Sequence, residues 1–160
     1  MAEWVVTWKN RPGFLKRQFP GIVKKSLKSM MKFWFFELFP THFELGAAQE
    51  YGYQKRKRVT MVAKARLKHH AKPMTFTGHM ARTIKSNFTE PTGSAKSVKM
   101  KLRGPLKMRF RGVKGTGPDM ISEMKAVSDK DRKLLARHLS RDIERRMSRL
   151  KGKSKKRIRA

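Results

Sequence analysis

Two stretches of the chain repeat their apolar residues every three to four positions. In the first, Val23, Leu27, Met30, Met31, Trp34 and Leu38 share one face, and Lys24, Lys25, Lys28 and Lys32 take the other. This spacing predicts an amphipathic helix that opens at Pro20 and runs to about Phe39, where Pro40 stops it. Its last two turns, FWFFELF, are apolar nearly all round. Either the chain's own core or a neighbouring subunit must cover such a surface. Phe33, Trp34, Phe35, Phe36 and Phe39 are therefore candidate subunit-interface residues. In the second stretch, Leu135, Leu139, Ile143 and Met147 recur every four residues, with Leu134 and Leu150 alongside. Ser128 stands as N-cap, with Asp131 at the third helical position, and Arg and Lys cover the rest of this helix.

Between the helices the period changes to two. Val98, Met100 and Leu102 alternate with Lys99, Lys101 and Arg103. After Gly104-Pro105, Leu106, Met108 and Phe110 alternate with Lys107, Arg109 and Arg111. Alternation around a Gly-Pro turn predicts a β-hairpin over 97–111 with one apolar and one basic face. A three-residue loop keeps the faces matched: Met100 opposite Met108, Val98 opposite Phe110, Lys101 opposite Lys107 and Lys99 opposite Arg109. Like charges about 5 Å apart across strands repel. A face bearing six cations and no anion calls for a polyanionic neighbour.

The remaining segments are less periodic. WVVTWK, residues 4–9, reads as a first strand, ended by Pro12-Gly13. Residues 41–76 read as a long, extended, partner-facing basic loop with a short helix at 59–68, where Val59, Val62, Ala63 and Leu67 are apolar. This loop contains the basic run Lys55, Arg56, Lys57 and Arg58, preceded by Tyr51 and Tyr53. Aromatic residues beside cations suit nucleic-acid or interface contacts. A short helix over HMARTI leads into a strand near Ile84–Phe88, residues 89–96 form a turn-rich link, and 120–127 read as a last strand. The chain is thus one domain over 1–150 with a basic tail at 151–160.

Composition sharpens this picture. Among 160 residues, 41 Lys and Arg face 11 Asp and Glu, a net charge of +30. Residues 51–118 carry a single acidic residue, Glu90. Such an excess implies a polyanionic partner: nucleic acid first, an acidic protein surface second. The chain has no cysteine, hence no disulfides, thiolate metal sites or cysteine nucleophiles. The opening MAEWVVTWKN lacks the basic and apolar regions of a signal peptide, and no apolar run is long enough for a bilayer, so no membrane partner is expected.

Catalytic chemistry has little support. Asp142 and Glu144 read as charge balance on a helix, and no serine lies in a nucleophile elbow. GVKGTGP, residues 112–118, lacks the Gly-Lys-Ser/Thr ending of a phosphate-binding loop. His69, His70 and His79 lie in cationic surroundings that repel a metal ion. No enzyme activity, cofactor or metal is expected.

The order of segments resembles the head–tail connector, or tail-completion (neck), proteins of tailed bacteriophages, of the virion-morphogenesis type. The resemblance runs through THFE (41–44), EYGYQKRKR (50–58), AKARLKHHAKP (63–73), MTFTGHMARTI (74–84) and GPDMISEMKAVSDKDRKLLARHL (117–139). Pro73, Thr77, Gly78, Met80, Thr83 and Ile84 are similar to the family's Pro-x-x-Thr-Gly-x-Leu-x-x-Ser-Ile pattern, with one extra residue after the proline. Met80 replaces its Leu and Thr83 its Ser. The resemblance implies an α+β fold, in which a small antiparallel sheet with the basic hairpin packs against the long N-terminal helix and the C-terminal helix. It implies a structural virion protein with no enzymatic activity, assembled in the host cytoplasm. It further implies a homo-oligomeric ring of six or twelve copies at the neck, joining the DNA-filled head to the tail. The partners would be portal or adaptor and tail proteins and, non-specifically, the DNA end. The basic face, Lys99, Lys101, Arg103, Lys107, Arg109, Arg111 and Lys55 to Arg58, would meet DNA or an acidic ring. The rival reading is a ribosomal or other RNA-bound structural protein, supported by the same charge.

Overall fold

Pro20 opens the first helix, as its fixed φ and missing N–H favour. Helix α1 spans Phe19–Phe33, with Pro20 in its first turn. The computed structural model describes residues 2–5, 18–54, 56–68, 72, 78–105 and 119–157. Strand β1, Ala2–Val5, precedes α1. After α1 the chain stays helical but changes its hydrogen bonding: a π-turn over Trp34–Leu38, then a 3-10 turn over Phe39–Phe43. Pro40 gives the reason. It has no N–H to offer the carbonyl four residues back and its ring would strike that group. A wider turn followed by a tighter one lets the backbone pass the proline without breaking.

Short helix α2, Ala47–Glu50, and helix α3, Arg58–Lys68, follow. The expected extended loop over 41–76 is therefore mostly regular as far as residue 68, while the helix read at 59–68 is present. Helix α4 spans His79–Ser86. It occupies the place where a strand near Ile84–Phe88 was expected. Met80 and Ile84, four residues apart, are buried together on its inner face, a helical and not an alternating pattern. Strands β2, Thr92–Gly93, and β3, Ser97–Met100, form a tight hairpin, with the Ser94 amide donating to the Ser97 carbonyl at 2.8 Å. Gly93 has φ +147, and a Cβ there would lie 2.2 Å from the Ser97 carbonyl oxygen.

Helix α5, Met120–Lys125, replaces the last strand expected over 120–127. Its cap explains the outcome. The Asp119 carboxylate accepts hydrogen bonds from the amides of Ile121 and Ser122 at 3.1 and 3.2 Å, satisfying donors a helix start leaves open. Helix α6, Asp129–Arg157, begins directly after Ser128 and runs through most of the basic tail set apart at 151–160.

The chain divides into two compact units, each discontinuous in sequence. The first comprises Met1–Trp34, Glu90–Met100 and Lys130–Ala160. Its antiparallel sheet has the order β1-β3-β2, and α1 packs on β3. Helix α6 lies along α1, where His138 stacks on Phe33 with ring centroids 4.4 Å apart and shares a 3.2 Å hydrogen bond with Ser29. Leu27, Met31, Val98, Met100 and Leu135 are almost fully buried in this α+β unit. The second unit comprises Phe35–Thr89 and Lys101–Asp129 and is helical among the described residues. Phe35, Phe39, Met80, Ile84 and Met124 are buried in it.

Candidate functional site

Strand β3 carries the first half of the basic face. Val98 and Met100 are buried and Lys99 is exposed, as the alternation requires. Both edges of the strand are occupied. The β1 register sets Trp4 opposite Val98 and Glu3 opposite Lys99; the β2 register sets Gly93 opposite Val98 and Thr92 opposite Lys99. The expected register of Val98 with Phe110 and Lys99 with Arg109 is therefore not formed, because no edge remains at these positions. An acidic position, Glu3, stands in register where a like charge was expected. Lys101 and Arg103 are exposed beyond the strand, and the Lys101 carbonyl accepts a 2.7 Å hydrogen bond from the Thr89 hydroxyl. Lys107, Arg109 and Arg111 lie outside the described residues.

The basic run at 55–58 is not one surface. Arg56 is half-buried, with both guanidinium ends on the Glu123 carboxylate, which also accepts from the Gln54 amide at 2.9 Å. A fork-on-carboxylate pair of this kind fixes geometry as well as charge. Arg56 is thus committed within the chain, whereas Lys57 and Arg58 are exposed; Lys55 lies outside the described residues.

Next to this pair lies a buried polar cluster. His42 is fully buried and stacks on Tyr51, with centroids 3.9 Å apart and planes 13° apart. Its Nδ1 is 2.5 Å from the Tyr53 hydroxyl. Thr41 donates to the Leu38 carbonyl at 2.6 Å, so the Tyr51 hydroxyl, also at 2.6 Å, donates to Thr41. Burial pushes His42 down to about 4, opposed by a contact with the Glu123 backbone. Burial, with the neighbouring Tyr51, raises the Tyr53 phenol far above its ordinary value. Both rings are neutral near pH 7. The expectation that Tyr51 and Tyr53 face a partner is corrected: both are buried and join THFE to EYGYQKR in one cluster.

The aromatic helix end is corrected in the same way. Trp34, Phe35 and Phe39 are 1%, 3% and 4% exposed, so they have no surface to offer another subunit. Phe33 is half-buried under His138. Phe36 alone of the five is exposed, at 45%, with its ring 4.9 Å from that of Phe88. Of the motif residues, Gly78 sits at the α4 N-terminus with φ +71, where a β-carbon is disfavoured. Met80 and Ile84 are core residues, and Thr83 lies 3.4 Å from His79. Pro73 and Thr77 lie outside the described residues.

Two surfaces escaped sequence reasoning. On α3, Val59, Val62 and Leu67 are 80%, 56% and 63% exposed, beside exposed Arg58 and Arg66. Their spacing had signalled the helix but not that its apolar stripe faces outward. Lys64, on the inner side, donates to the Lys72 carbonyl at 2.5 Å. Burial, then the Arg56 charge, holds its ammonium below the usual lysine range.

The other surface is on α6. Lys133, Arg137, Arg141, Arg145 and Arg149 recur every four residues and are all exposed. A groove beside them is lined by Phe33, Leu134, Arg137, His138, Arg141, Asp142 and Arg145. The signal was present in the sequence as a four-residue repeat of cations, parallel to the repeat of Leu135, Leu139 and Ile143.

Comparison with protein-family models, with curated proteins and with solved structures finds no match to this chain.

Proposed function

We propose that this chain is a structural protein of the neck of a tailed bacteriophage, forming a ring that joins the DNA-filled head to the tail. The observation that carries an assembly role is the outward apolar stripe of α3. Val59, Val62 and Leu67 leave more than half of their surface in water on a chain of net charge +30. Exposed apolar residues clustered on one helix face mark a protein contact. The ordered neck-like segments supply the direction, since two of them, THFE and EYGYQKR, meet through His42, Tyr51 and Tyr53. A ribosomal or other RNA-bound structural role is the second reading, favoured by the row of exposed cations on α6.

Negative-stain imaging and solution mass of the purified chain, with and without tailed particles of its phage, test the proposal. Rings of six or twelve copies, alone or at the head–tail junction, are the expected result. A monomer at every concentration that also fails to join particles overturns it, and selective uptake into ribosomal particles supports the second reading instead.

A further inference from the structure

We propose that the outward stripe of α3 docks on the cation-free segment 36–45 of a second copy of this chain. The inference rests on the assembly reading above and names the surface that receives the stripe.

The exposed apolar side chains are not scattered. Among the described residues the large ones are Phe36, Leu45, Val59, Val62 and Leu67. Three stand on α3 and two on the segment that follows α1, and both places belong to the second compact unit. On α3, Val59, Val62, Ala63 and Leu67 line one open groove together with Arg58 and Arg66. On the other segment burial comes in pairs. Leu38 with Phe39 and His42 with Phe43 are buried, while Phe36 with Glu37, Pro40 with Thr41 and Glu44 with Leu45 are exposed. A helical stretch whose buried pairs lie four apart turns the pairs between them away from the core.

Charge selects the occupant. A chain of net charge +30 repels its own copies over most of its surface. Residues 33–54 are the exception. They hold three Glu and no Lys or Arg, the longest stretch of the sequence without a cation. Helix α3 is the reverse, with four cations and no acidic residue. Among the described residues, Glu37, Arg58 and Arg66 form no ion pair. Glu44 is held by Lys72 at 2.5 Å and adds less. Each surface thus combines apolar side chains left in water with unpaired charge, and the charges are opposite. Two α3 stripes face to face would cover the same apolar groups, but a two-fold contact of that kind sets the arginines of one copy against those of the other. Phe36 as an aromatic anchor, and arginine rather than lysine beside the stripe, match the composition of protein interfaces.

The chain has no cysteine, so single introduced cysteines report the contact. Full chains carrying Val62→Cys are mixed with full chains carrying Leu45→Cys in about 0.15 M salt, which confines charge repulsion to about 8 Å. A short thiol cross-linker is then added. Cross-linked pairs are expected in the mixture, with far fewer in either variant alone. In cysteine-free chains, Glu37→Arg should weaken assembly, read by solution mass, by about tenfold or more. Arg58→Glu with Arg66→Glu should do the same, and the triple variant should recover it. Glu144→Arg changes the net charge equally and should have little effect. Circular dichroism confirms that every variant keeps its helix content. More cross-linking among Val62→Cys chains alone than in the mixture means that two stripes face each other, and overturns the proposal. So does a mixture without cross-links, or equal weakening by Glu37→Arg and Glu144→Arg. Rings that form without the mixed cross-link keep the ring reading and overturn this contact. Cross-linked copies that show the triple-variant recovery but never close into a ring uphold the contact and overturn the ring.

Discussion

His42 lies flat on Tyr51, ring centroids 3.9 Å apart, while its Nδ1 meets the hydroxyl of Tyr53. One buried imidazole thereby ties the turn after Pro40 to the segment that carries the basic run. Burial keeps this ring neutral down to about pH 4. In the unfolded chain it takes up a proton below its ordinary 6.5. The folded state therefore loses stability as pH falls from 6.5 towards 4, and the loss from this group is about 3 kcal/mol. His42→Gln should remove that part of the pH dependence. Urea unfolding of both proteins at several pH values checks it: the stability gap should be largest above pH 6.5 and shrink towards pH 4. A gap that stays constant would contradict the assignment.

Asp142 titrates in the opposite sense. Burial alone would raise its carboxyl, but hydrogen bonds from Arg146 and Arg145 hold it below the usual aspartate range. Its side chain is 2% exposed, and Arg146 donates to it at 2.6 Å. A depressed carboxyl stabilises the fold above its ordinary value and loses that contribution as pH drops through the folded value. Asp142→Asn should cost about 1–3 kcal/mol near neutral pH. The difference from wild type should close in acid. Thermal melts at neutral and acid pH decide the matter.

Gly93 carries the β2–β3 hairpin. Its φ of +147 and the 2.2 Å approach of a hypothetical Cβ to the Ser97 carbonyl leave no room for a side chain. Gly93→Ala should destabilise the chain by about 1–3 kcal/mol, whereas Ser94→Ala, which removes the hydroxyl that accepts from the Lys96 amide at 3.1 Å, should cost less, about 1 kcal/mol. Equal denaturation midpoints for wild type and Gly93→Ala would contradict the close approach.

The two faces of the aromatic and apolar helices should separate stability from assembly. Phe35→Ala removes a buried ring and should cost roughly 3–5 kcal/mol. Val59→Ser with Leu67→Ser changes side chains already in water and should shift stability by no more than about 0.5 kcal/mol each. Ring formation or particle joining, read by imaging, should nevertheless be lost in the α3 double variant. Retained assembly there, with a normal fold, would remove α3 from the contact.

Local pattern alone determined the elements whose periodicity is long or sharply punctuated. Pro20 and the three-to-four repeat after it marked α1, but not its end: the α-helix gives way at Phe33 to a π-turn and then a 3-10 turn that runs through Pro40; Ser128 and the Leu135–Leu139–Ile143 repeat marked α6; Val98 and Met100 marked the inner face of β3. The α+β character follows from these three elements. Short segments were legible only in part. The helix read over HMARTI is present and continues to Ser86 with Met80 and Ile84 buried together, where a strand was expected to begin, and MISEMK, read as a strand, is a helix because Asp119 caps it locally. Alternation around Gly104-Pro105 could show that Ser97–Met100 is a strand but not which strands lie beside it. Pairing is chosen by segments distant in sequence, and β1 and β2 took both edges. The same holds for the site. Charge was legible residue by residue, but Arg56 was turned inward by Glu123, 67 residues away, and Tyr51 and Tyr53 were drawn inward by His42. Which cations remain in water is a property of these distant partners, because a charge is either paired or solvated only once the chain has folded around it.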